Sequence, residues 1–243
     1  VVAAQTETDA NRLGQFGAGN IAVTGSVKFD IEPSATALVK GMKLRECIGN
    51  RPVLMCASTR NGEEARILDV LEQLDRNALL LLVPRHPQRF DDVAGLIRNR
   101  KIPMIRRSTL HDLSANALSP DTRILLGDSM GEMFMYYAAC DIAFIGGSLE
   151  KLGGQNLIEA CAVGKPVLIG PHTFNFEAIT KDAIATHAAI RITSATELMQ
   201  RANELLSDWT LYQTMSDNAR LFAEKQHGAT ERTLKLLIPL IEK

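Results

Sequence analysis

No run of about 18 consecutive apolar residues occurs in this sequence, so no segment reads as a bilayer-spanning helix. The opening residues carry no basic start followed by an apolar stretch, so they do not read as a secretory signal either. They begin Val1-Val2-Ala3-Ala4 without a methionine, which leaves two readings open: a cut inside a longer protein, or a processed start. No charge of one sign predominates. With 27 basic against 28 acidic residues the formal net charge is −1, which argues against the strongly basic footprint of a nucleic-acid binder. The four cysteines form no Cys-x-x-Cys pair and match no zinc ribbon or finger. Cys56 and Cys161 lie in apolar runs and read as reduced core residues, as in a cytosolic compartment. Neither a Walker lysine motif nor Gly-x-Gly-x-x-Gly occurs, so P-loop and classical dinucleotide sites are excluded. Asp-x-Asp, a common metal-binding signature, is absent too, as are internal repeats and low-complexity segments.

What is present is an ordinary globular composition, 46% apolar and 23% charged. The 243 residues suffice for one large domain or two small ones. Short β-branched or leucine-rich runs fall at 21–27, 53–57, 79–83, 102–106, 123–127, 142–146, 166–170 and 188–192. Between most of them the apolar residues take helical spacing. In 63–74, for example, Ala65, Ile67, Leu68, Leu71 and Leu74 share one broad face. Continuous apolar strands alternating with amphipathic helices predict a parallel sheet covered on both faces, a Rossmann-like, doubly wound α/β fold. From Ser194 onward the strand pattern stops. This tail reads as two or three amphipathic helices, broken near Ser207-Asp208 and at Gly228, with Pro239 near the end. Residues 1–20 read as a helix and a linker bearing Gly14, Gly17 and Gly19. The expected organisation is the end of an upstream domain with a linker over 1–30, the α/β domain over 31–206, and helices over 207–243 packing on or beside it.

In such sheets ligands bind beyond the carboxyl ends of the strands, near the point where strand order reverses. The segments there are Ser58-Thr59-Arg60-Asn61-Gly62-Glu63, Pro84-Arg85-His86-Pro87, Asp128-Ser129-Met130-Gly131-Glu132, Gly146-Gly147-Ser148-Leu149 and Pro171-His172-Thr173-Phe174-Asn175-Phe176. With them stands Gly153-Gly154-Gln155-Asn156-Leu157-Ile158-Glu159-Ala160. Its glycines let backbone approach a ligand, and the following helix turns free N–H groups towards it. Glu159, about one turn into that helix, suits a ribose diol. Equally, Asn156 caps a plain helix and Glu159 answers its dipole. Asp128 or Ser129 is expected to cap the next helix, with Glu132 completing a capping box; the N–H groups of Gly131 and Glu132 can face a ligand at the same time. Arg85 can grip a phosphate through two hydrogen bonds, although prolines around it also simply end a strand. His172 reads as structural and Asp91-Asp92 as surface charge. The cluster Arg98, Arg100, Lys101, Arg106 and Arg107 fits an anionic membrane, or a solvated helix-to-strand face at least as well.

In order and spacing these segments resemble the carboxyl-terminal domain of the Kdo (3-deoxy-D-manno-oct-2-ulosonic acid) transferases of lipopolysaccharide biosynthesis. The resemblance runs over nearly the whole chain, from Thr24-Gly25-Ser26-Val27-Lys28-Phe29-Asp30 to the final helices. Its most specific elements are Ala57-Ser58-Thr59 with Gly62-Glu63-Glu64, Pro84-Arg85-His86-Pro87, Gly131-Glu132-Met133, Gly146-Gly147-Ser148, Gly154 to Glu159, and Gly170 to Phe176. It implies the carboxyl-terminal half of a GT-B glycosyltransferase, two facing Rossmann-like domains that move Kdo from CMP-Kdo to a lipid A precursor. The implied donor contacts are Pro84, Arg85, Gly131, Glu132, Met133, Asn156, Leu157, Ile158 and Glu159, with Ser58, Arg60 and Gly154 as neighbours. Two departures stand out. The family usually has His where Arg60 stands, and often reads Gly-His-Asn-Pro-Leu-Glu-Pro where Gln155, Ile158 and Ala160 occur here.

The resemblance further implies an inverting, metal-independent transfer with no cofactor. The catalytic base, the lipid acceptor surface and the contact with the cytoplasmic face of the inner membrane would belong to an amino-terminal domain outside this chain. The chain alone would be soluble, bind CMP or CMP-Kdo, and not catalyse transfer. Nucleic acid is not an expected partner. Two alternatives stay open: a UDP-sugar epimerase of GT-B architecture, and a non-enzymatic nucleotide-binding module.

Overall fold

The computed structural model describes residues 1–110, 113 and 118–241. In chain order the elements are β1 (Val2–Ala4), α1 (Glu7–Gln15), β2 (Ile21–Val23), α2 (Ala35–Ile48), β3 (Val53–Thr59), α3 (Glu63–Asp69), β4 (Leu79–Pro84), α4 (Phe90–Asn99) and β5 (Met104–Arg106). They continue with β6 (Ile124–Leu126), α5 (Met133–Ala139), β7 (Ile142–Ile145), α6 (Ile158–Ala162), β8 (Val167–Ile169), α7 (Glu177–Ala185) and β9 (Ala189–Arg191). Three helices close the chain: α8 (Ala195–Ser207), α9 (Trp209–Gln226) and α10 (Ala229–Ile241). They fall into two units, Pro33–Arg220 and Val1–Glu32 with Leu221–Lys243.

In the larger unit Leu79, Leu80, Leu81 and Leu82 follow one another, all fully buried. A strand apolar on both sides needs helices above and below it. Seven strands pair in parallel in the order β5-β6-β4-β3-β7-β8-β9. Alternate residues point to opposite faces. Leu54, Leu80, Ile124, Ile142 and Leu168 meet Ile67 and Leu71, then Val93 and Ile97 of α4, and Leu198, Met199 and Ala202 of α8. Elsewhere α2 crosses α5 at Gly41, where a Cβ would lie 2.4 Å from that of Ala138; any side chain there would force the helices apart.

All eight expected strands exist, several clipped by a residue or two. The run 21–27 ends at Val23 because Gly25 takes a positive φ of 82° and Val27–Phe29 turns as a 3-10 helix. The helix expected over 63–74 stops at Asp69 and is followed by a 3-10 turn, Leu71–Gln73. The strand Val2–Ala4 was not expected, since three residues carry no period. The tail forms three helices, broken at the expected places; residues 242–243 lie outside the described residues.

In the smaller unit β1 and β2 pair in parallel around α1, which Thr6 caps by accepting from the Asp9 N–H at 3.1 Å. Asp30 caps α10, accepting the N–H groups of Gly228 and Ala229 at 2.6 and 3.3 Å and also that of Thr230. Burial pushes its carboxyl up, yet these bonds hold it below its ordinary value. Among the described residues no helix is long and apolar enough to cross a membrane.

Candidate functional site

Strand order fixes where to look. From β3 the chain passes to β4, on to the edge strand β5 and back to β6 between them, then crosses to the other side of β3 for β7, β8 and β9. The reversal lies between β3 and β7, the crevice where doubly wound sheets bind ligands.

The walls of that crevice are the turn after β3 and the loop after β7. Ser58 sits at a register break between Ala57 and Thr59, with a positive φ of 54°. Close against it is Gly146, where a Cβ would lie 2.6 Å from the Ser58 carbonyl oxygen. Glu63, fully buried, reaches across. Its Oε2 accepts the N–H groups of Arg60 and Gly147 at 2.9 and 2.6 Å; its Oε1 accepts those of Ser148 and Leu149 at 3.0 and 2.9 Å. Burial raises its pKa, and the four donors offset only part of that rise.

Beside this crevice Arg85 follows β4, its N–H bonded to the Thr59 carbonyl at 2.9 Å. The Arg85 side chain is exposed and forms no ion pair among the described residues. Glu159 faces it. Burial pushes the Glu159 carboxyl up and Arg85 draws it back, and no side-chain hydrogen bond engages it among the described residues. Arg60 packs its Cγ over Gly147, beside Gln155 and Gly154. Burial together with Arg60, Arg85 and Arg89 lowers the His86 pKa. Of these three guanidiniums only Arg89 has a carboxylate partner among the described residues, Glu64 at 2.6 Å. Glu64 also accepts from Thr59 Oγ1 at 2.9 Å.

The expected capping box at 128–132 is a correction. Gly131 adopts a positive φ of 75°, which breaks the helical path, and α5 begins only at Met133, with no side-chain cap among the described residues. Asp128 instead accepts from Arg106 Nε at 2.6 Å and from the N–H and hydroxyl of Ser108 at 2.8 and 2.6 Å. Burial raises its carboxyl, but the Ser108 and Arg106 bonds bring it below the ordinary range. Glu132 turns to Arg107 at 2.9 Å and to the Ser129 hydroxyl, which also meets Tyr136. The basic cluster is thus largely neutralised: Arg100 pairs with Asp69, Arg106 with Asp91 and Asp128, Arg107 with Glu132.

Glu159 also corrects the expected helix. α6 has five residues and opens at Ile158, so Glu159 is its second residue rather than one turn in. Asn156 Oδ1 accepts the Ile158 N–H at 3.0 Å, closing a turn just ahead of the helix, whose cap position is Leu157. Leu157 and Ile158 are fully buried, so neither presents its side chain at the surface, and the Ile158 N–H is taken by Asn156. Gly153 lies under the loop after β8: the Asn175 N–H donates to its carbonyl at 3.1 Å, and a Cβ on it would stand 2.2 Å from Asn175 Nδ2.

The fold therefore gathers Ser58, Arg60, Pro84, Arg85, Gly154, Asn156 and Glu159 around the reversal point. Gly131, Glu132 and Met133 stand on the same edge after β6, where Glu132 is tied to Arg107. Sequence reasoning missed the tasks of Glu63, Asp128 and Glu64. Their partners lie up to 86 residues away, and only the acidic pair after Gly62 hinted at them.

A doubly wound parallel sheet with this edge and a helical tail is the Rossmann-like half of a GT-B glycosyltransferase. The chain belongs to the family "Glycosyl transferases group 1", whose model matches residues 67–222. It is 44% identical over 97% of its length to a 3-deoxy-D-manno-octulosonic acid transferase of Bordetella pertussis, covering 55% of that protein. A protein of the same name from Haemophilus influenzae is 37% identical, with 57% of it covered. The chain thus spans little more than half the length of these relatives. Among solved structures it is similar to the C-terminal CMP-Kdo binding domain of WaaA from Acinetobacter baumannii, with a TM-score of 0.72 and 29% identity, covering 78% of this chain and 98% of that one. Anabaena Alr3699/HepE in complex with UDP and glucose, 18% identical with a TM-score of 0.62, covers all of this chain with 63% of its own and shares the fold.

Proposed function

We propose that this chain is the donor-binding half of a Kdo transferase, an inverting, metal-independent enzyme that moves Kdo from CMP-Kdo to a lipid A precursor at the cytoplasmic face of the inner membrane. The observation that carries the reading is that Arg85, exposed and without an ion pair among the described residues, stands at the reversal point with the half-buried Glu159, whose carboxyl it draws down against the effect of burial. The relatives of matching name support the choice of sugar and nucleotide.

Breaking the bond between the anomeric carbon and the CMP phosphate builds negative charge on the leaving phosphate. Arg85 meets that charge, and a guanidinium does so through two hydrogen bonds. Glu159 accepts hydroxyls of the ribose. The N–H groups around Gly131 and Met133 face the base, and Ser58, Arg60 and Gly154 line the sugar side. In this reading residues 1–30 close an upstream domain, 31–206 hold the donor and 207–243 form the carboxyl-terminal helices. The base that deprotonates the acceptor hydroxyl and the lipid-binding surface come from the remainder of the longer protein.

Calorimetry with CMP, UDP, UMP and AMP tests this. CMP is expected to bind preferentially, and Arg85→Ala or Glu159→Ala to weaken it roughly 10- to 100-fold, the worth of one charge-assisted contact. Preference for UDP would favour an epimerase, a purine preference neither enzyme. No CMP binding at millimolar concentration would remove the donor site.

A further inference from the structure

We propose that Glu63 is a positioning residue: its carboxylate occupies the β3/β7 crevice in the place of an anion and holds the loops that carry the donor contacts. What those loops hold rests on the donor-site reading; the clamp itself does not.

Successive backbone N–H groups pointing into one concavity form an anion nest, the device by which many folds hold phosphate. Here Gly147, Ser148 and Leu149 present three in a row, Arg60 adds a fourth, and all four point at Glu63. A carboxylate has about four acceptor positions, so nothing is left for a ligand. No lysine or arginine pairs with Glu63 among the described residues. The protein supplies the anion and the backbone supplies the counter-dipoles.

From the clamped loop the bonds run on. The Gly154 N–H donates to the Gly147 carbonyl at 2.7 Å, the Gly170 N–H to Ser148 Oγ at 2.8 Å, and the His172 N–H to the Ser148 carbonyl at 3.0 Å. The Asn175 N–H donates to Gly153 at 3.1 Å. One carboxylate thereby fixes the turn after β3, the loop after β7, the glycines before α6 and the loop after β8. The donor phosphate is consequently excluded from Gly147–Leu149 and meets Arg85 and the stretch from Gly154 to Asn156.

The neighbouring Glu64 is the internal control. It is as buried as Glu63, but among the described residues only its Oε1 is engaged, while Oε2 has no hydrogen-bond partner. Glu63→Gln would turn an NH2 group towards two N–H donors; Glu64→Gln can place its NH2 at the free oxygen.

Residue-resolved amide hydrogen exchange on the 243-residue chain, with and without CMP, decides the matter. Gly147, Ser148 and Leu149 are expected to be protected without nucleotide and to change less than about twofold when CMP is added. In Glu63→Gln their exchange and that of Gly154 should quicken about tenfold or more, and CMP affinity should drop about tenfold; Glu64→Gln should leave both within about threefold. Rapid exchange in the free chain that slows with CMP would show that the nest takes the nucleotide and would overturn the proposal. So would a Glu63→Gln protein with wild-type exchange. If that variant does not fold, the wild-type exchange pattern alone decides. Protected amides in a chain that binds no CMP would keep the clamp and sink the donor reading.

Discussion

The loop after β7 and the turn after β6 share one edge of the sheet, yet different chemistry holds each. The first hangs on Glu63, a carboxylate whose hydrogen-bond partners among the described residues are all backbone N–H groups. The second is braced mainly by side chains, Arg106 and the Ser108 hydroxyl on Asp128 and Arg107 on Glu132, with a single backbone N–H, that of Ser108, on Asp128. An acceptor surrounded by backbone fixes the chain itself, because each bond ends on a particular residue's N–H. A guanidinium on a flexible stem fixes two side chains and through them, more loosely, two segments. The tighter device stands at the reversal point and the looser one at the flank. The two carboxylates are also pushed in opposite directions, Glu63 up by burial and Asp128 down by its partners despite burial.

Deleting each anchor is the hardest blow to this contrast. Glu63→Ala leaves four N–H donors facing an apolar cavity, at about 1–3 kcal/mol for each group that water does not reach, so a loss of roughly 4 kcal/mol or more is expected. Asp128→Ala leaves Arg106 partly exposed and still paired with Asp91, so about 2–3 kcal/mol is expected, below the full penalty for a broken buried pair. Urea unfolding of the two variants measures both. Equal losses would erase the distinction between the two anchors.

Titration separates them by sign. A raised carboxyl contributes stability that is complete below its unfolded value and is lost as pH rises through its folded value. The advantage of wild type over Glu63→Gln should therefore shrink as pH climbs above the ordinary 4.5. For Asp128 the folded value is depressed, so its contribution is present above the ordinary 3.8 and lost as pH falls through the folded value. The advantage over Asp128→Asn should shrink on acidification. Denaturant midpoints across the acid range give both slopes; slopes of the same sign would show that the two carboxylates share one environment.

The contrast also marks how far sequence reasoning reached. The sheet was legible because strands buried on both faces must be continuously apolar, as Leu79 to Leu82 are, and the site edge followed from topology. Arg85 stood out between two prolines. Helix starts were less legible: the Asp128 to Glu132 spelling satisfies a capping box, but Gly131 leaves the helical path and frees Asp128 for Ser108 and Arg106. Local rules see spacings of three or four residues. Glu63 meets Gly147 to Leu149 across 84–86 residues, a contact made only after the strands align.

Ser58 offers the smallest test, and it asks whether the tightly held wall stores strain for the ligand. Its φ of 54° lies in the left-handed region that disfavours a Cβ, by about 1 kcal/mol. Its hydroxyl makes no hydrogen bond among the described residues, so Ser58→Gly removes strain without breaking an internal contact. Glycine's greater freedom when unfolded offsets part of the gain, leaving a net stabilisation of about 0.5 kcal/mol. If the hydroxyl touches the donor, CMP-Kdo affinity should fall roughly threefold to tenfold at the same time, the worth of one neutral hydrogen bond. Thermal unfolding and calorimetry on one preparation read the two together. A stabilised variant with unchanged affinity would take Ser58 out of the site and leave the strained turn as a consequence of its neighbour, since Gly146 packs directly on the Ser58 carbonyl.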